Sequence, residues 1–121
     1  MKTILLADDE ANLRMLVHTT LDDPKYRILE AADGTAAFEL AKQERPDLLV
    51  LDWMMPGMTG VEVARALRNN EQTAHIPIIM LTAKGQEKDK EQSRTLDAYA
   101  YLVKPFSPLE LLEKVQEVLG Q

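Results

Sequence analysis

Four short apolar runs each end in a polar residue, and this recurrence constrains the fold of the chain more than any other feature. Ile4-Leu5-Leu6-Ala7 runs into Asp8 and Asp9, and Leu48-Leu49-Val50-Leu51 into Asp52. Ile78-Ile79-Met80-Leu81 runs into Thr82, and Tyr101-Leu102-Val103 into Lys104. Apolar runs of this length suit strands buried on both faces of a parallel sheet. Open parallel sheets bind ligands in the crevice at the carboxyl ends of their strands. If the four runs are neighbours, three carboxylates, a hydroxyl and an ammonium meet in one pocket. That set suits a divalent cation and a phosphoryl group.

The rest of the chain supplies a fifth strand and the connecting helices. Strands are expected at 3–7, 26–31, 47–51, 76–82 and 99–103. In the helix predicted over 12–21, Leu13, Leu16, Val17 and Leu21 form one apolar stripe. The helix over 34–44 turns Phe38, Leu40 and Ala41 inward and stops at Arg45-Pro46. Thr59 and Glu62 have capping-box spacing and open a helix running to Leu67. Ser107 and Glu110 repeat that signal with Pro108 at the first helical position, and Leu111, Leu112, Val115, Val118 and Leu119 mark the buried face. The stretch 84–95 is charged nearly all round, so it reads as a solvated, weakly anchored helix next to the pocket. Alternating strands and helices predict an α/β fold with helices on both faces of a parallel sheet.

Composition narrows the function. The 121 residues carry a net charge of −6 and no cysteine. An acidic balance disfavours direct contact with nucleic acid or an anionic membrane, and thiolate metal sites are excluded. No apolar stretch approaches the roughly 18 residues that span a bilayer, and a cytoplasmic setting is expected. His18 and His75 lack ligand spacing and read as surface residues. Trp53 and Met55 read as packing around the pocket.

Four segments in order make the chain resemble a receiver domain of the two-component response regulator superfamily, chemotaxis-regulator-like, over its whole length as a single domain with no output domain. They are Leu6-Ala7-Asp8-Asp9-Glu10, the run from Leu51 to Gly60, Leu81-Thr82-Ala83-Lys84, and Tyr101-Leu102-Val103-Lys104-Pro105-Phe106. The resemblance implies a flavodoxin-like (βα)5 sandwich of strand order 2-1-3-4-5, the order the pocket requires. It also implies that Asp52 is the phosphoacceptor, and that Asp8, Asp9, Asp52 and the backbone carbonyl of Met54 hold Mg²⁺ or, in its place, Mn²⁺. Thr82, Ala83 and Lys104 would receive the phosphoryl oxygens. Tyr101 would follow Thr82 as a switch, and a cis Lys104-Pro105 bond would aim the lysine inward. Met54 and Lys84, at variable positions beside the site, would tune the lifetime of the phosphorylated form. Asp97 stands where many such domains have glycine, and Thr59 replaces a common aspartate.

The implied partners are a sensor histidine kinase or a histidine phosphotransfer protein as donor, and a downstream protein reached through the fourth helix, fifth strand and fifth helix. The domain would act as a monomer or as a phosphorylation-dependent dimer. Two rival readings are weaker. A haloacid-dehalogenase-type phosphatase also uses a strand-end aspartate, but it needs a second acid where Met54 stands. A degenerate receiver that only docks a partner has no need of the intact five-residue set.

Overall fold

The computed structural model describes residues 1–83 and 98–120. Five strands, β1 (Lys2–Ala7), β2 (Tyr26–Ala31), β3 (Leu48–Asp52), β4 (Ile78–Ala83) and β5 (Ala100–Lys104), form one sheet of order β2-β1-β3-β4-β5. Every neighbouring pair is parallel. Four helices are described: α1 (Ala11–Thr20), α2 (Gly34–Glu44), α3 (Gly60–Arg68) and α4 (Pro108–Leu119). The helix expected over 84–95, the site residue Lys84 and the turn residue Asp97 lie outside the described residues.

Strand periodicity divides the core into two layers. Leu5, Leu49, Leu51, Ile78 and Met80 face α2 and α3, where Ala37, Ala41, Val63 and Leu67 meet them. Ile4, Leu6, Leu48, Val50, Ile79 and Leu81 face α1 and α4, against Val17, Leu21, Leu111 and Val115. Each fully buried aliphatic side chain contributes about 1.5–3 kcal/mol, so the three central strands anchor the molecule. The fourth apolar run does not share their environment. β5 is an edge strand in which Leu102 is buried while Tyr101 and Val103 are half-covered.

The strand boundaries move by one or two residues for identifiable reasons. Asp47 lies before β3 because its carboxylate accepts the Thr3 amide at 2.7 Å while its own amide donates to the Thr3 carbonyl at 2.8 Å. β4 begins at Ile78, since Pro77 has no N–H to give the ladder. Asp52 and Lys104 lie inside the ladder, opposite Leu81 and Ala83, and not just beyond it. Along α1 and its capping residue Leu21, the buried positions are Val17 and Leu21 with Leu13 packed against them, whereas Leu16 is exposed, which corrects the expected stripe. Both capping boxes form, at Thr59–Glu62 and Ser107–Glu110. Arg45 adopts the left-handed conformation that ends α2 before Pro46.

Candidate functional site

The carboxyl ends of β1, β3, β4 and β5 meet along one rim of the sheet, and Lys104 stands at the centre of what they carry. Its Nζ lies 3.1 Å from Asp8 Oδ2, 3.2 Å from Asp52 Oδ2 and 3.6 Å from Glu10 Oε1. Asp8 is wholly buried just past β1, and its Oδ1 accepts the Glu10 amide at 2.9 Å. Asp52, 6% exposed, accepts a long hydrogen bond of 3.4 Å from the Met54 amide. Asp9 is exposed. One carboxylate oxygen from each of Asp8, Asp9 and Asp52 falls within 4.8 Å of the others. Hard oxygen donors so grouped, one of them open to solvent, fit Mg²⁺, which keeps several waters and takes one or two carboxylates.

The electrostatics follow from the geometry. Burial, and then the neighbouring Asp8 charge, push the Asp52 carboxyl up from 3.8 to about 6, although Lys104 and the Met54 amide pull the other way. For Lys104, burial would depress the ammonium. Attraction to Asp52 and Asp8 outweighs it and holds the group above the usual lysine range. The ammonium therefore stays charged between two carboxylates, one of which ionises reluctantly.

The other expected site residues that are described lie on or just past β3, β4 and β5. Thr82 is fully buried, and its hydroxyl has no hydrogen-bond partner among the described residues. Ala83 is exposed at the end of β4. The Lys104-Pro105 peptide is cis. The Met54 side chain is exposed beside Asp52, and Tyr101 packs against the core layer under α2 and α3. Trp53 and Met55 are buried in that layer, while His18 and His75 are at the surface, as expected.

Two residues escaped the sequence reading. Glu10 joins the carboxylates around Lys104, and the only hint was an acid directly after the acidic pair. Gly60 lets α3 start against the site: a Cβ there would lie 2.1 Å from the Asp52 carbonyl oxygen. The Gly60 amide donates to the Trp53 carbonyl at 2.8 Å, and the Trp53 amide to the Leu81 carbonyl at 2.8 Å. The loop after Asp52 is thus tied at both ends, and the signal for it was a glycine immediately after a helix-capping threonine.

Comparison with known proteins gives a consistent answer. The family model of the response regulator receiver domain matches residues 4–116. The phosphate regulon transcriptional regulatory protein PhoB of Pseudomonas aeruginosa is 47% identical over 118 residues, covering 98% of this chain and 52% of that protein. The alkaline phosphatase synthesis transcriptional regulatory protein PhoP of Bacillus subtilis is 42% identical, covering 98% and 48%. The chain thus spans about half the length of these curated relatives. Among solved structures, the chemotaxis response regulator CheY4 of Vibrio cholerae superposes with a TM-score of 0.89 at 38% identity, covering 98% of each chain. The receiver domain of sensor histidine kinase PA1611 from Pseudomonas aeruginosa, with a magnesium ion coordinated in its active site cleft, has a TM-score of 0.87 at 31% identity, covering 99% of this chain and 98% of that one.

Proposed function

The chain belongs to the response regulator receiver domain family, and from that premise we propose that Asp52 accepts a phosphoryl group from the phosphohistidine of a histidine kinase or histidine phosphotransfer protein. The observation that carries this reading is the placement of Lys104 Nζ within 3.2 Å of both Asp8 and Asp52. An Asp52 oxygen attacks phosphorus in line, the N–P bond breaks, and its electron pair returns to the imidazole of the donor. Lys104 pairs with one phosphoryl oxygen as a point charge. The Thr82 hydroxyl, buried and without a partner among the described residues, donates to another. Asp8, Asp9, Asp52 and the Met54 carbonyl would hold Mg²⁺, which when bound supplies positive charge to the phosphoryl oxygens. The magnesium in the cleft of the related kinase receiver supports that assignment.

The exposed Met54 thioether beside Asp52, with Lys84, would tune how long the phosphate lasts. The output would pass through β5, α4 and the 84–95 stretch to a downstream protein, with Tyr101 following Thr82. A cytoplasmic setting belongs to the same proposal. Among the described residues no helix is long and apolar enough to cross a membrane.

The test is intact mass after incubation with a small-molecule phosphodonor and Mg²⁺. A gain of about 80 Da, that of one phosphoryl group, is expected in the parent and not in Asp52→Asn. An unmodified parent would favour a module that only docks partners. Rapid, sustained turnover of phosphoesters would favour a phosphatase.

A further inference from the structure

The two acidic ligand candidates are joined by one peptide unit, and that unit is anchored from outside the pocket. On the preceding Ala7–Asp8 peptide, the Asp8 amide donates to the Ala31 carbonyl at the end of β2, at 3.1 Å. The Asp8 carbonyl, which belongs to the planar Asp8–Asp9 peptide, accepts Nη1 of Arg14 at 2.7 Å. Arg14 rises from α1 with only 19% of its side chain exposed, and its Nε donates to Glu30 Oε1 at 3.2 Å. The other Glu30 oxygen lies 2.6 Å from His18 Nδ1. Glu30 therefore has both oxygens engaged, and the guanidinium is held at two of its nitrogens.

Orientation of the Asp8–Asp9 peptide plane sets one backbone torsion of each residue, and so the direction of both carboxylates. A guanidinium suits this task because its donors project at fixed angles, so holding Nε on Glu30 aims Nη1 at the carbonyl. An ordinary surface pair between α1 and β2 would contribute little to stability and would have no bearing on a cation. Here one end of the pair lies on the backbone of a fully buried acid.

Resting on the cation site proposed above, we infer that Arg14, braced by Glu30, is a positioning residue for Mg²⁺: it touches neither metal nor phosphate and fixes the peptide that carries Asp8 and Asp9. Outer partners of this kind commonly change metal affinity by 10- to 100-fold. Because the contact is to a carbonyl and not to a ligand oxygen, the low end is expected.

The test is Mg²⁺ titration followed by the fluorescence of Trp53, which is buried next to Asp52, with urea unfolding in chelator as the metal-free control. Arg14→Met, which keeps the aliphatic stem, should weaken Mg²⁺ about tenfold. Arg14→Lys, which can reach the carbonyl but cannot bridge to Glu30, should recover part of that loss. Glu30→Ala, at an exposed position, should weaken binding by a smaller factor. An Arg14→Met protein that binds Mg²⁺ as the parent does would overturn the inference. Should that variant not fold, unchanged affinity in Glu30→Ala would overturn it instead. A parent whose fluorescence ignores Mg²⁺, or responds equally in Asp9→Asn, would overturn the cation site itself and this inference with it.

Discussion

At the scale of single residues, the site is a balance of charges that each would be costly alone. Asp52 is the clearest case, since its carboxyl ionises near 6 in the fold and near 3.8 when unperturbed. Well below pH 3.8 the group is neutral in both folded and unfolded states and costs the fold nothing. As pH rises from 3.8 to about 6 the unfolded chain ionises ahead of the folded one, and the fold loses on the order of 3 kcal/mol, in full above that window. Replacement by asparagine removes that loss and leaves Lys104 paired with Asp8. Asp52→Asn should therefore be more stable than the parent at pH 7.5 in metal-free buffer, by up to about 3 kcal/mol, with the gap closing as the pH falls to about 3. Urea midpoints at the two values decide the matter, and a gap of equal size at both would show that Asp52 is not the group responsible. The acids were legible in the sequence because each follows an apolar run. Glu10 and Arg14 were not, because their roles arise from a lysine 94 and a carbonyl 6 positions away in the chain, respectively.

Among the elements, local signals and packing signals had different fates. Capping boxes are written within four consecutive residues, so both were readable and both form. The fate of Leu16 is decided by which side of α1 meets the sheet, and a one-step error in the stripe turned an exposed leucine inward. Gly60 carries both kinds of information. It is the first residue of α3, and a Cβ there would fall 2.1 Å from the Asp52 carbonyl oxygen and 2.9 Å from Trp53 Cα. Those are backbone atoms of a strand end tied into the ladder, so they cannot swing aside as a side-chain tip would. Gly60→Ala should therefore cost at least about 1–3 kcal/mol, the range of overpacking, and weaken Mg²⁺ binding by displacing Asp52. Thr59→Ala, one residue earlier, should cost about 1 kcal/mol through the lost cap and leave Mg²⁺ affinity unchanged. Urea unfolding and Mg²⁺ titration of the two variants would separate these effects. Equal losses of Mg²⁺ affinity would mean that α3 as a whole, and not the glycine contact, positions the acid.

Over the whole molecule, the question is how a phosphoryl group at one rim could be felt elsewhere, and Thr82 is where the architecture offers an answer. The strand order came from the resemblance to receiver domains, and the structure has it; the pocket alone required only that β1, β3, β4 and β5 be neighbours. The state of the Thr82 hydroxyl was not legible, since it depends on what surrounds a strand end in three dimensions. The side chain is fully buried with no hydrogen-bond partner among the described residues, a situation that costs about 1–3 kcal/mol. A phosphoryl oxygen on Asp52 would remove that penalty and add a charge-assisted bond. The gain exists in one state only, which is the requirement for shifting an equilibrium. Thr82 pairs with Val103 on β5, and Tyr101 lies two residues back on the same strand. Thr82→Val keeps the shape and deletes the hydroxyl, so the unphosphorylated protein should be as stable as the parent or more so. It should still gain phosphate on Asp52, yet lose most of the amide shift changes that phosphorylation produces at residues 99–106. Nuclear magnetic resonance of the two proteins with and without phosphodonor would show this. If Thr82→Val reproduced the parent's changes along β5, the signal would have to leave the site by way of Lys104 and the loop that follows it.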